Sequence, residues 1–365
     1  MNLEYITLRH EKNGGNIMQR RTFLTGVSAV AVMSALKRPA YAIERPFTFT
    51  SWGGALSDAE GSAFIEPFAT EKGIKVIQTS PTETAKTIAM VEAKKVEWDL
   101  VCEGGTTAFQ GEEMDFLEKL DFSKIPNAKA LPDDMRAPCG VVTSTGATII
   151  AWSETAFPDG GPQSWAEFWD VKTFPGPRGL YSEFTYNYEA ALLAAGLKPS
   201  EIYPYTAEKR DIVFGKIKEI KPHVTVWWGS GAQPPQLLST GELAASSAWS
   251  GRMLAAKAEG SPVGFTFRDG IAWGNWWVIP KGSPYVDLAH EAINFALDVE
   301  NQKRLLSLKT YGPVLSAATD GLPPEDMSIL VMAPDNIKNM VILNEKEGWA
   351  SMRDTMDSWR QLMMD

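Results

Sequence analysis

The stretch Phe47-Thr48-Phe49-Thr50-Ser51-Trp52-Gly53-Gly54 opens a run, ending near Glu103, in which strand-like and helix-like patterns alternate. Phe47 to Ser51 mixes aromatic and β-branched residues as a strand does, and Trp52-Gly53-Gly54 breaks it before the helical stretch Leu56 to Lys72. Gly73 to Ile77 reads as a second strand, Thr84 to Lys95 as a helix, and Trp98 to Cys102 as a third strand. Strand, helix, strand, helix, strand is the signature of a parallel α/β sheet. Ligands of such sheets sit beyond the carboxyl ends of the strands, which places Trp52 and Glu103 on one rim.

Working outward from this unit, Gly146 to Trp152 is a strand-like run suited to crossing between two lobes. Ser164 to Asp170 reads as a short capped helix, Pro175 to Gly179 as a turn, and Tyr188 to Gly196 as a helix closed by glycine. Val224 to Trp228 is a strand, Pro234 to Thr240 a helix, and Leu243 to Trp249 a strand ending in Ser250-Gly251-Arg252. Trp249 and Arg252 therefore fall on the rim of a second unit. Trp276 to Ile279 returns as a strand, and Val286 to Leu308 has the pattern of one long amphipathic helix. The expected organisation is α/β, with two lobes around a hinged cleft. Residues 43–148 form the first lobe, 149–272 the second, 273–318 return to the first, and 319–365 form a helical segment on the second.

The front of the chain reads as an export signal. Arg20 and Arg21 precede an apolar run from Gly26 to Leu36 and the small-residue triplet Ala40-Tyr41-Ala42, so cleavage is expected after Ala42. Arg20-Arg21-Thr22-Phe23-Leu24 resembles the twin-arginine address. About 11 apolar residues fall far short of the roughly 20 that span a bilayer. Residues 1–17 are polar and unpatterned and precede Met18, which is the expected true start.

The whole chain carries a formal charge of −10, and residues 1–42 hold six basic and two acidic residues, so the remainder stands near −14. Nucleic acid requires a basic footprint and is not an expected partner. Cys102 and Cys139 both lie in the exported part, where they either pair as a disulfide or remain two small buried thiols. With no CxxC, no zinc spacing and only His223 and His290 beyond residue 42, neither a metal nor another cofactor is expected.

All 13 Trp lie beyond residue 42. Trp227, Trp228, Trp276 and Trp277 sit in strand patterns and read as core, whereas Trp52, Trp249 and Trp273 sit where a strand gives way to glycine or a turn. Aromatic faces attract ammonium groups by about 0.5 to 2 kcal/mol each. Signs of catalysis are few. Ser250 is not in a Gly-x-Ser-x-Gly elbow, neither histidine has a nearby nucleophile, and no Gly-x-Gly-x-x-Gly or Walker loop occurs. The chain does not read as an enzyme.

Taken in order, Ser51 to Gly54, Trp98 to Val101, Trp227 to Gln233, Gly241 to Leu243 with Ala248 to Arg252, Val278 to Pro284, and Tyr311 to Val314 resemble periplasmic substrate-binding proteins of the spermidine/putrescine type. The resemblance implies the type II periplasmic-binding fold, a monomer that closes on a small amine-containing ligand, and delivery to a membrane permease of the ATP-binding-cassette class. It also implies the ligand contacts. Trp52 with Gly53 follows the first strand, Glu103, Gly104 and Thr106 form the turn after the third, and Glu183 and Tyr186 fall near positions that meet ligand amines. Trp249, Trp273 and Tyr311 match cleft aromatics.

Two departures bear on the ligand. Asn275 stands where polyamine binders carry an aspartate, and Arg252 stands where putrescine binders can carry an acid. A guanidinium repels a diamine and matches a carboxylate bidentately. The expected ligand is therefore a polyamine or, better, an ω-amino acid such as γ-aminobutyrate. In that case Glu183 or Glu103 meets the ammonium and Arg252 the carboxylate, unless Arg252 turns away to support the hinge. An exported enzyme on the same fold and a ligand-loaded sensor for a membrane receptor are the rival functions.

Overall fold

The opening run becomes β1 (Phe47–Thr50), buried along its whole length between two parallel neighbours. The structure, a computed structural model, describes residues 45–364. The export signal, the cleavage point after Ala42 and the start at Met18 lie outside the described residues. After β1 the chain runs as α1 (Gly54–Glu60), a π turn over Gly61–Ile65, and α2 (Glu66–Lys72). Pro67 has no N–H to offer the Ala63 carbonyl four residues back. The Arg304 guanidinium supplies that donor instead, with Nη1 2.9 Å from the Ala63 oxygen. β2 (Val76–Thr79), α3 (Thr84–Glu92), β3 (Leu100–Glu103) and α4 (Gly105–Glu113) complete a parallel β2-β1-β3 group.

β4 (Arg136–Ala137) leads into β5 (Gly140–Ser153), of which the expected strand Gly146 to Trp152 is the second half. α5 (Trp165–Trp169) begins at Ser164, whose hydroxyl accepts the Glu167 N–H at 3.2 Å. β6 (Arg178–Tyr181) starts inside the expected turn. Arg178 is fully buried and donates to the carbonyls of Phe168, Phe174 and Gly176, so a cation satisfied by loop carbonyls hides the start of a strand. α6 (Asn187–Ala194), α7 (Ala207–Ile220), β7 (Val224–Trp228), α8 (Gln233–Ser239), β8 (Ala245–Trp249) and α9 (Ser250–Ala258) follow.

β9 (Val263–Val278) then runs antiparallel to β5. The expected strand at Trp276 is its far end. β9 pairs with β3 at Val101↔Val278, β5 pairs with β8 at Thr148↔Trp249, and the order is β2-β1-β3-β9-β5-β8-β6-β7. The β5–β9 ribbon thus joins the β2-β1-β3 lobe to the β8-β6-β7 lobe. The single helix expected over Val286 to Leu308 is two, α10 (Val286–Ala296) and α11 (Val299–Ser307), because the Asp298 carboxylate accepts the Glu300 N–H at 2.9 Å and starts a new helix. α12 (Pro324–Ser328), α13 (Pro334–Ile337), β10 (Val341–Ile342) and α14 (Glu345–Met364) end the described chain.

α14 touches both lobes. Trp359 donates to the Ser182 carbonyl at 3.0 Å and packs on Phe184 and Trp227 in the second lobe, while Trp349 reaches Glu113 at the end of α4 in the first. The sequence reading placed the segment on the second lobe alone. Each lobe has its own core. Trp277 packs between Phe49, tilted against it, and Phe64, edge to face, in the first, and Ile149, Leu238, Leu243, Ala248 and Met253 cluster at the second.

The disulfide alternative for Cys102 and Cys139 is not realised, and both are free buried thiols. Cys102 faces Glu60 and Ser51, whereas Cys139 lies near Glu112 and Lys119, so the two occupy different surroundings. His290 is buried rather than solvated. Its Nε2 accepts the Asp121 N–H at 2.9 Å and its Nδ1 lies 2.7 Å from the Val286 carbonyl, which makes it a pin between segments.

Candidate functional site

Strand ends from both lobes converge on a cavity of about 230 Å³. β1 delivers Trp52, β3 delivers Glu103 and Gly104, β6 ends in Tyr181, and β8 ends in Trp249, with Arg252 in the first turn of α9. Trp273 and Asn275 come from the second half of β9, and the β5 pairing slips next to Asn275, between Val142 and Ser144. Trp273 donates to the Thr148 hydroxyl at 3.1 Å, and Asn275 donates to the Ser144 hydroxyl at 2.8 Å.

Four rings form a closed circuit. Trp249 lies 6.3 Å from Trp273, Trp273 6.3 Å from Tyr186, Tyr186 5.7 Å from Tyr181, and Tyr181 5.9 Å from Trp249. Trp52 adds a fifth ring, 5.9 Å from Trp249 across the cleft. Tyr186 holds φ at 70°, a left-handed backbone rare for a bulky residue, and such strain persists where the surroundings fix a side chain in place. The geometry suits a cation inside the circuit.

The acids are set around it. Glu103 is 2% exposed, and its carboxyl accepts from the Thr82 hydroxyl at 2.7 Å and from the Thr84 hydroxyl at 3.3 Å. Burial pushes Glu103 up to about 7, against the opposing pull of those hydroxyls. Burial, followed by the nearby Glu189, pushes Glu345 up to about 8. Glu183 is exposed at the mouth. Beneath the Trp52 loop the buried Glu60 accepts from the Ser51 hydroxyl and, at 2.8 Å, from Trp277 Nε1, tying the end of β1 to the core.

Arg252 is the cation of the wall. Its Nη2 donates to the Gly53 carbonyl of the opposite lobe, and its Nε is buried with no hydrogen-bond partner among the described residues. A side chain at Gly54 would collide with the guanidinium, so that glycine makes room for the crossing. What the cavity offers is a guanidinium, a ring of aromatic faces, and three carboxyls. That set fits a small ligand carrying both charges.

Residues 63–330 match the family described as bacterial extracellular solute-binding protein. The chain belongs to that family. Among relatives of this solute-binding protein, the gamma-aminobutyric acid-binding protein of Pseudomonas aeruginosa is 33% identical over 307 residues, covering 83% of this chain and 87% of the relative. The crystal structure of an ABC transporter substrate-binding protein from Bradyrhizobium japonicum superposes with a TM-score of 0.82 at 37% identity, covering 87% of this chain and 99% of that one. That of MotA from A. tumefaciens in complex with glucopine gives 0.83 at 30% identity, with the same coverage of each chain. The mixed α/β fold is that of periplasmic binding proteins.

The solute-binding protein brings together nearly all the residues singled out in its sequence. Trp52, Glu103, Gly104, Thr106, Glu183, Tyr186, Trp249, Arg252, Trp273, Asn275 and Tyr311 all line the cavity. Gly53 does not line it and contributes its carbonyl to Arg252 instead. Sequence reasoning missed Tyr181, Thr84 and Glu345. The rule that finds residues just past strand ends would have found Tyr181 had β6 been legible. Thr84 opens α3 beside Glu103. Glu345 had no local signal.

Proposed function

We propose that this solute-binding protein captures an ω-amino acid of the γ-aminobutyrate type in the periplasm and delivers it to an importer of the ATP-binding-cassette class. The observation that carries the reading is the polarity of the cavity, with Arg252 in one wall and Glu103 and Glu345 behind an aromatic circuit in the others. A zwitterion with separated charges meets both, whereas a diamine leaves one ammonium facing a guanidinium. The relative named for gamma-aminobutyric acid and the relative titled as an ABC transporter substrate-binding protein support the same assignment. Glu103 and the rings receive the ammonium, and Arg252 receives the carboxylate. The twin-arginine signal and cleavage after Ala42 export the chain, which acts as a monomer.

Calorimetric titration of the purified protein with γ-aminobutyrate, putrescine and spermidine tests this. The amino acid should bind at micromolar affinity or better, which corresponds to about −8 kcal/mol. Tighter binding of either polyamine would overturn the reading of Arg252.

A further inference from the structure

The last-arriving residue of the pocket occupies a place built for an anion. Resting on the amino-acid reading above, we propose that Glu345 is a specificity-determining residue whose carboxyl occupies the N-terminus of α4. That end of the pocket then accepts the ligand's ammonium and refuses a second carboxylate.

α4 is nine residues long and starts directly behind β3 at the cavity rim. Its N-cap is Gly104, which has no side chain to satisfy the first N–H groups of the helix. The Glu345 carboxyl lies beside Gly105 at that end instead, and the Thr106 and Gly105 amides draw it downward against the larger upward push of burial. A Cβ at Gly105 would land 2.5 Å from both the Glu345 carboxyl carbon and Trp276 Nε1, so the missing side chain is the space the carboxyl fills. The Trp276 indole nitrogen is buried at the same spot and has no hydrogen-bond partner among the described residues, so a donor is left aimed at this place. Two backbone amides at a helix N-terminus and one indole N–H make an anion hole, and the chain's own carboxyl lies against it.

The scaffold holds Glu345 in place from both sides. The Asn344 N–H donates to the Tyr203 hydroxyl at 3.0 Å, Glu347 accepts the Tyr205 N–H at 3.1 Å, and Trp349 donates to Glu113 at 2.7 Å. Behind Glu345 lies Glu189, whose carboxylate accepts from the Tyr203 and Tyr205 hydroxyls. The charges facing this end of the pocket are therefore all carboxyls, and the guanidinium of Arg252 comes from α9. A ligand carboxylate has one place to go.

Titration of the wild-type protein, Glu345→Ala and Glu345→Gln with γ-aminobutyrate and with glutarate, near pH 8, tests the assignment. The wild type should bind γ-aminobutyrate and not glutarate. Glu345→Ala should bind γ-aminobutyrate at least tenfold more weakly and gain glutarate binding at the vacated helix end. Glu345→Gln keeps the hole filled, so it should lose γ-aminobutyrate affinity by a similar factor without gaining glutarate. An Ala variant that is folded by circular dichroism yet takes no glutarate, or unchanged γ-aminobutyrate affinity in the Gln variant, overturns the proposal. The Gln result decides alone if the Ala variant does not fold. A wild-type protein that binds no ω-amino acid overturns the proposed function itself, and with it this inference, before any variant is made.

Discussion

Raising the pH from about 5 to about 8 should strengthen ligand binding and weaken the ligand-free fold, and both effects trace to Glu103 and Glu345. Burial lifts Glu103 from 4.5 to about 7 and Glu345 from 4.5 to about 8. An acid whose folded value is raised holds its proton more tightly in the folded chain than in the unfolded one. Its contribution to stability is complete below about 4.5 and is lost as the pH climbs through 7 to 8. At 1.36 kcal/mol per pKa unit, a rise of that size in Glu103 is worth at most about 3 kcal/mol, and Glu60, also lifted to about 7, acts in the same direction. Binding runs the other way, because an ammonium pairs with the ionised carboxylate and must first displace the proton. One pH unit below its pKa, each group lowers the affinity about tenfold. Between about pH 6 and pH 8, where γ-aminobutyrate keeps both charges, affinity should rise about tenfold if Glu103 alone must ionise and several hundredfold if Glu345 must ionise as well. Calorimetry in two buffers of different ionisation enthalpy would count the protons released, with thermal denaturation of the ligand-free protein in parallel. An affinity that is flat or falls with pH, with no proton released, would refute the role of these carboxyls.

Arg252→Ala should weaken γ-aminobutyrate by about 2 to 3 kcal/mol, the worth of a charge-assisted pair, and leave simple monoamines nearly unaffected in the same titration. Both cysteines should react as free thiols after denaturation and resist alkylation in the folded protein, because burial raises both Cys102 and Cys139. A thiol count below two in the denatured, unreduced chain would restore the disulfide. Arg304→Met should cost about 1 to 3 kcal/mol of stability in urea denaturation, since the Ala63 carbonyl beside Pro67 then loses its donor, while ligand affinity stays within about twofold.

What the sequence made legible follows from where each signal is written. β1 and β3 were readable because strands buried on both faces carry their own aromatic and β-branched signature, and the rims they define placed Trp52 and Glu103 correctly beside the cavity. β6 was not, because Arg178 at its start is satisfied by carbonyls from a loop that only the fold brings near. The break between α10 and α11 was written locally in Asp298 but masked by an apolar pattern that continues through it. Glu345 belongs to another class. Its meaning depends on Gly105, Thr106 and Trp276, residues that come together only when α14 lies along α4. No pattern within a window of ten or twenty residues contains that relation.

The two readings of Arg252, carboxylate anchor and hinge support, need not compete. Its guanidinium crosses from α9 to the Gly53 carbonyl, and Trp249 meets Trp52 beside it, so this side chain helps hold the rims together. The contact is incomplete, because Nε stays buried without a partner among the described residues, and leaving such a donor unsatisfied costs about 1 to 3 kcal/mol. A ligand carboxylate within reach would satisfy the fork more fully than one neutral carbonyl does. A ligand biases closure only by the difference in its interaction with the open and closed forms. On the proposed reading, that difference is concentrated at a guanidinium that reaches both lobes and is fully satisfied only when a carboxylate lies between them.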